Sequence, residues 1–472
     1  MSAQPKGTDW PLSGRLAGLE HYQPTRLVAY IHVPFCLRRC GYCDFNTYTT
    51  GFGSGADLQT YHQSVIREIH FAREVLAESL AGAPAVPNPA APFLAAPNAA
   101  GSQSTSANLP ASDFFAPQAA QSVADAGVPV TPPSYPPLES VFFGGGTPSL
   151  LEPTQIREIL AALVENFGLA PTAEVTLEAN PDTLTPERIC QFQQAGITRL
   201  SLGMQSAVSG VLKILDRTHD QAAVAHAVKA AAEFGLQTSV DLIYGTPGET
   251  LEDWRTSLAA AIALNPTHIS AYSLIIEEGT RLSHQVSSGK LSPIDPDEQA
   301  AKYELACQLL EEHGYYWYEI SNFAKATPAE LDAPILTWQC TSKHNLAYWQ
   351  NWDWWGFGPG AHSHVGGYRW WNLKHPRAYV NRIERQQSPA YQGEQLSEAE
   401  ILTEKIMLAI RTRDGLTRFD LDYLQRHLEH LPQSLERLHE EGLVEFSSQN
   451  PVLTLKGRLL ADYATRVLLE WE

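Results

Sequence analysis

From Ser140 onward, short apolar runs alternate with amphipathic stretches, and that alternation constrains the fold more than any other feature. Val141–Gly144, Glu174–Glu178, Arg199–Met204, Ser239–Tyr244 and His268–Leu274 read as strands. Between them, Pro153–Phe167, Pro186–Ala195, Gln221–Phe234 and Leu251–Leu264 read as helices. Apolar strands separated by helices predict a parallel sheet covered by helices, because each crossover must return across a buried face. Leu27–Val33 and the helical stretch Asp57–Leu80 precede them. Together these make about six βα units, fewer than the eight that close a barrel. The expected fold is α/β, an open or partial (β/α)6 barrel whose ligands sit at the C-terminal strand ends.

The first strand leads into Cys36-Leu37-Arg38-Arg39-Cys40-Gly41-Tyr42-Cys43. Three thiols on one loop suit three irons of a [4Fe–4S] cube, which normally takes four Cys ligands. With no fourth Cys nearby, one metal position stays open for a reactant. Cys40 and Cys43 alone also fit a C-x-x-C redox pair, and a zinc site would draw on His32 or Asp44 as fourth ligand. Cys190, Cys307 and Cys340 read as buried small side chains, and no disulfide framework is indicated.

Several strand ends carry polar or glycine residues. Gly144-Gly145-Gly146-Thr147-Pro148 follows a strand but lacks the Gly-Lys-Ser/Thr ending of a phosphate loop. Its glycines allow a backbone to approach a ligand closely, or simply make a tight turn. Glu178 and Gln205 end the next two strands, and Asp241 interrupts an apolar one. A buried Asp needs a partner. Singly each is an ordinary strand-end polar group; recurring on successive units, they point to one shared site.

The remaining chain divides by composition. Residues 1–25 read as a polar leader, with the barrel in 26–80 and 138–290. Residues 81–137 form an insertion rich in Ala, Pro, Ser and Asn, with too few large apolar residues for a core. Residues 291–390 extend the barrel with Trp349, Trp352, Trp354 and Trp355 among His344, His362, His364 and His375. An aromatic pocket with a His suits a haem, although such residues also close a barrel mouth. In 391–472, three helices and a hairpin predict a mostly helical, winged-helix-like domain. Its third helix carries Glu436, Glu440 and Glu441, which disfavours duplex contact.

A formal net charge of −19 argues against a general nucleic-acid binder. The N-terminus lacks a signal peptide's apolar core, and no stretch approaches the roughly 20 apolar residues of a membrane span. A cytoplasmic protein is expected, with peripheral membrane contact left open.

Taken together, Tyr30-Ile31-His32-Val33-Pro34-Phe35-Cys36, the cysteine spacing, FGGGTPS, LEANP, LGMQS, DLIYGTPGET and HNLAYW form a specific set. On these motifs the chain resembles the radical SAM (S-adenosylmethionine) family, in its oxygen-independent coproporphyrinogen III oxidase-like group. Within that group it looks most like the haem-chaperone branch. The resemblance runs from Tyr30 to the C-terminus, outside the insertion. It implies a [4Fe–4S] cluster on Cys36, Cys40 and Cys43, whose open iron chelates SAM and reduces it to a 5′-deoxyadenosyl radical. It places Tyr30, Tyr42, Gly145, Gly146, Thr147, Glu178, Gln205, Arg217 and Asp241 around SAM. His344, which opens the HN-x-x-YW motif, is the first choice for a haem-site residue.

One position departs from the oxidases. They resemble C-x3-C-x2-C-x-C, whereas Phe45 stands where their fourth Cys would be. The resemblance therefore implies a haem-binding protein that delivers haem to acceptor haemoproteins, respiratory ones among them. The alternative is the oxidase itself, which converts coproporphyrinogen propionates to vinyl groups.

Overall fold

The computed structural model describes residues 7–20, 22–49, 57–80, 135–217, 221–447 and 450–470. Most of the Ala/Pro-rich insertion expected at 81–137 lies outside the described residues.

Six parallel strands form the centre: β1 (Leu27–Val33), β2 (Leu138–Gly145), β3 (Leu169–Ala179), β4 (Arg199–Gln205), β5 (Gln237–Tyr244) and β6 (His268–Ser273). They pair in chain order, each parallel to the next. Their apolar side chains pack against helices of the expected spans, and Val28, Ile31, Val141, Leu177, Leu200 and Val240 are fully buried. The helix boundaries follow local chemistry. Thr185 caps Pro186–Ala195, whose first position is the Pro a helix start tolerates, and left-handed Gly196 ends it. Thr250 and Asp253 form a reciprocal capping box at Leu251–Ala263.

The sheet is larger than six strands. Asp353–Phe357 adds a parallel strand beside β1, followed by the antiparallel strands His362–Val365, Tyr368–Asn372 and Ala390–Gln395. Beyond β6, Asn322–Lys325 and then Tyr315–Glu319 add antiparallel strands. Among the described residues the outcome is a 13-stranded sheet whose two edges do not pair with each other, so the barrel is open.

The leader expected at 1–25 is part of the fold from residue 7. Thr8–Asp9 pairs with Ala390–Gln395 at the sheet edge, Trp10 stacks on Trp370 at 5.5 Å, and Leu16 and Leu19 are buried. Polar composition concealed this, because a few well-placed apolar residues suffice to dock a short segment on an existing sheet. Among the leftover cysteines only Cys307 is buried; Cys190 and Cys340 are half-buried.

The C-terminal unit matches the expected pattern. Glu398–Ala409, Arg418–His427 and Leu431–Glu440 precede the hairpin Val444–Ser447/Asn450–Leu453, and two short helices follow. It has its own core, including Ile406, Ile410, Leu424, Leu438 and Leu468. Arg458 lies 4.2 Å over the Trp317 ring and Arg413 5.6 Å over Trp338, which fastens this unit to the barrel extension through cation–π contacts.

Candidate functional site

The C-terminal ends of the central strands open into a cavity of about 640 Å³. The cysteine loop, the ends of β2, β3 and β4, the interior of β5 and the turn after the helix Ser209–Ile214 bring the expected residues there. Cys36, Cys40 and Cys43 line it with Tyr42, Gly145, Gly146, Thr147, Glu178, Gln205, Arg217 and Asp241. Separated by up to about two hundred positions in sequence, these residues meet because parallel strands all end on one side of the sheet.

The cysteine loop is held to the glycine loop through backbone. Gly146 N donates to Val33 O at 2.8 Å, and Thr147 N donates to Phe35 O at 2.7 Å. A Cβ at Gly146 would lie 2.5 Å from Phe35 O, so no larger residue fits there without moving the backbone. Gly145 has a φ of +109°, a conformation only glycine adopts without strain. Burial pushes the Cys36 thiol pKa up; Thr147 opposes this by hydrogen bonding, and Cys43 and Cys40 add to it.

The donor set, three cysteines of one loop at the cavity, is the kind a cluster takes. Among the described residues, no group of three His, Cys, Asp or Glu side chains converges as a lone metal would require. A four-iron cube spreads its ligands over separate corners, and three cysteines of one loop that line the cavity suit it. His32 is not free to serve zinc. Its Nδ1 lies 3.1 Å from the Tyr30 hydroxyl and its Nε2 2.9 Å from Asn46 O, while burial lowers its pKa to about 4.

Around the open side, the polar groups are tuned by burial and by each other. Gly145 N donates to Glu178 Oε2 at 3.0 Å. Burial, with Asp241 as a second cause, raises the Glu178 pKa to about 8. Asp241 accepts from Ser201 and Ser270, each at 2.7 Å, and from Ser239 at 3.4 Å. Burial raises its pKa, and those serine bonds oppose the shift. Arg217 hydrogen-bonds Tyr42, yet its buried Nε has no partner. A buried guanidinium N–H without an acceptor is costly, and a ligand carboxylate would remove that cost. Gln205 holds a φ of +62°, the local strain expected where a side chain is aimed at a ligand.

Two expected residues do not reach the cavity. Tyr30 sits behind its wall, stacked on Phe142. His344 is 1% exposed, with Nδ1 2.8 Å from Ser140 Oγ and Nε2 3.0 Å from Tyr348 Oη. Both nitrogens are engaged inside the fold and the ring stacks on Phe142 at 5.0 Å, so His344 offers no nitrogen to an iron. Its neighbour Asn345 lines the cavity instead, as does His268. The other imidazoles of the aromatic stretch, His362, His364 and His375, also lie away from it. His362 stacks on Trp371, His364 packs on Trp354 and His375 on Tyr48.

Sequence reasoning missed the deeper wall: Thr176, Arg199, Ser201, Ser239 and Ser270. Register puts Thr176 beside Arg199, and Ser239 beside Ser201. A packed barrel interior takes branched apolar residues, so small polar ones on adjacent strands signal a chamber. The alternation of Arg199, Ser201 and Gly203 along β4 was the available signal. At the mouth, Leu37, Phe45 and Ile275 are 63%, 60% and 70% exposed.

Comparisons with known proteins follow the same lines. The model of the radical SAM superfamily matches residues 134–261, and that of the HemN C-terminal domain matches 396–460. The chain is 36% identical to "Heme chaperone HemW" of Mycobacterium tuberculosis, over 93% of this chain and 94% of the relative. It is 30% identical to the protein of that name from Bacillus subtilis, over 92% and 97%. Among solved structures, coproporphyrinogen III oxidase (HemN) from Escherichia coli superposes with a TM-score of 0.69 over 95% of this chain and 91% of that one. At 19% identity, this likeness concerns the fold.

Proposed function

The chain belongs to the HemW family of radical SAM proteins, and from that premise we propose that it binds haem and hands it to acceptor haemoproteins. Cys36, Cys40 and Cys43 would hold a [4Fe–4S] cluster, with SAM on the open iron; together they supply one-electron chemistry. Arg217 would meet the SAM carboxylate, and Glu178 its ammonium group, which would hold the Glu178 carboxylate ionised. Gly145 and Gly146 would let the ligand lie against backbone, and Gln205 and Asp241 would take its remaining polar groups.

The observation that carries the haem reading is the exposed apolar rim. Leu37, Phe45 and Ile275 stand in water at the mouth of the cavity that the three thiols line. A flat apolar macrocycle laid across the mouth would cover them, and burying each is worth about 1.5–3 kcal/mol before ordering costs. Phe45 also occupies the position where the oxidases carry a further thiol, which favours haem handling over oxidation of a porphyrinogen. His344 is not carried forward as a haem ligand. A cytoplasmic setting and respiratory acceptors fit this reading.

The test is anaerobic. Reconstituted protein receives SAM and reductant with either haem or coproporphyrinogen III. The expected result is saturable haem binding, weakened when Phe45 and Leu37 are replaced by Ser, with no repeated formation of protoporphyrinogen. Multiple turnovers of coproporphyrinogen would make the protein an oxidase and end the chaperone reading.

A further inference from the structure

Asp216 precedes Arg217 and holds a φ of +54°, the left-handed region that Asn and Asp tolerate best among residues with a side chain. Its side chain lines the cavity and its carboxylate packs against Gly41 of the cysteine loop. Arg281 Nη1 donates to both carboxylate oxygens, at 3.0 and 2.9 Å, and Arg38 Nη2 lies 3.7 Å from Oδ1. Gly41 packs so closely on Asp216 that a Cβ there would lie 2.5 Å from Oδ2. Beside this contact, Leu282 N donates to Gly41 O at 2.9 Å. The cysteine loop is therefore gripped at Gly41, between the second and third cysteines, by Asp216 and by the start of the helix Arg281–Ser287. Arg217, which lines the cavity too, bonds Tyr42 of the same loop. Tyr42 in turn packs beside Leu215 and Leu282.

We propose that Asp216 is a positioning residue. Clamped to Arg281 and Arg38, it fixes the cysteine loop and couples that loop's order to occupancy of the Arg217 site. This rests on the reading of Cys36, Cys40 and Cys43 as cluster ligands. The physical basis is that Asp216 and Arg217 share one backbone turn. A ligand carboxylate that locks Arg217 reduces the freedom of Asp216, and through it of Arg38 and Gly41. Asp216 has 15% side-chain exposure whereas Arg38 and Arg281 are about 60% exposed, so the carboxylate is held in place while solvent screens the arginine side of each pair.

Asp216→Asn tests this without disturbing the backbone, since Asn also favours the left-handed region. Arg281→Glu turns the attraction into repulsion, and Arg281→Lys keeps the charge on a shorter side chain with a compact, more strongly hydrated head group. Two readouts are used on folded protein of unchanged far-UV circular dichroism. The first is the rate of iron release from reconstituted protein to a chelator, with and without SAM. The second is alkylation of Cys40 and Cys43 relative to Cys340 in protein without cluster.

Asp216→Asn and Arg281→Glu should release iron about tenfold faster, as expected for loss of one charge-assisted contact of ~1.4 kcal/mol. SAM should slow release in wild type and much less in both variants, with Arg281→Lys between. Cys40 and Cys43 should alkylate faster in the variants while Cys340 does not change. Equal release rates and equal alkylation ratios would overturn the role of Asp216. A wild-type chain that takes up no iron would instead remove the cluster reading, and the alkylation ratio would still decide whether Asp216 orders the loop.

Discussion

His344 Nδ1 and Ser140 Oγ lie 2.8 Å apart, joining the helix Lys343–Trp349 to the second central strand across 204 positions of sequence. The imidazole fills the space behind Phe142 and Tyr30, and burial lowers its pKa to about 3. It is a neutral, hydrogen-bonded core residue.

Replacing it should therefore cost stability rather than haem. His344→Ala leaves a cavity and an unpaired Ser140, for which about 2–4 kcal/mol is expected. Denaturant melts check the first part and haem titration of the variant the second. A variant that melts like wild type but no longer takes up haem would return His344 to the haem site.

Glu178 gives a pH signature. Its folded pKa of about 8 lies above the ordinary carboxylate value, so the folded chain holds a proton that the unfolded chain has lost. Its contribution to stability is thus largest below the unfolded pKa and falls as pH rises toward 8. Glu178→Gln cannot ionise, so in ligand-free protein the variant should gain on wild type steadily from about pH 5 to pH 8. Paired thermal melts across that range measure the difference, and a constant offset would contradict it. SAM should reverse part of the trend in wild type, since an ammonium group favours the ionised Glu178.

The cysteines should separate cleanly. Cys36→Ser, Cys40→Ser and Cys43→Ser should each abolish most iron and sulfide uptake on anaerobic reconstitution, because a serine hydroxyl is a poor ligand for iron. Cys190→Ser and Cys340→Ser should not alter uptake. Elemental analysis decides it; zinc bound without sulfide would replace the cluster with a mononuclear site.

Gly146→Ala places a methyl against the Phe35 carbonyl, and backbone must shift to receive it. A loss of about 1–3 kcal/mol is expected from such overpacking. Because Gly146 also lines the cavity, SAM affinity should fall with it, as equilibrium binding would reveal. Gly210→Ala, where a Cβ meets nothing within 4 Å, is the matched control.

Much of this was legible in local chemistry. The strand–helix alternation announced a parallel sheet, and Cys36, Cys40 and Cys43 lie within one loop, so their spacing alone brings them together. Glu178 and Gln205 were readable because parallel strands deliver their ends to one side whatever the loops do, and Asp241 because a charge inside an apolar strand needs a partner. Tyr30 and His344 were misplaced for the opposite reason: both flank Phe142 behind the wall, and only pairing across the sheet decides which neighbour faces the cavity. Asn345 reaches it while His344 turns inward, a choice of helix face set by Ser140 on a distant strand.

The sequence by itself determined the cysteine loop, the glycine turn at Gly145 and the repeated βα units, since each follows from short-range spacing and backbone sterics. Tertiary structure alone decided that Thr8–Asp9 closes a sheet edge, that the tryptophans pack an added antiparallel meander, and that Asp216 clasps the loop at Gly41. Those contacts join segments far apart in the chain, where the energy lies in the fit between two surfaces and neither segment carries it alone.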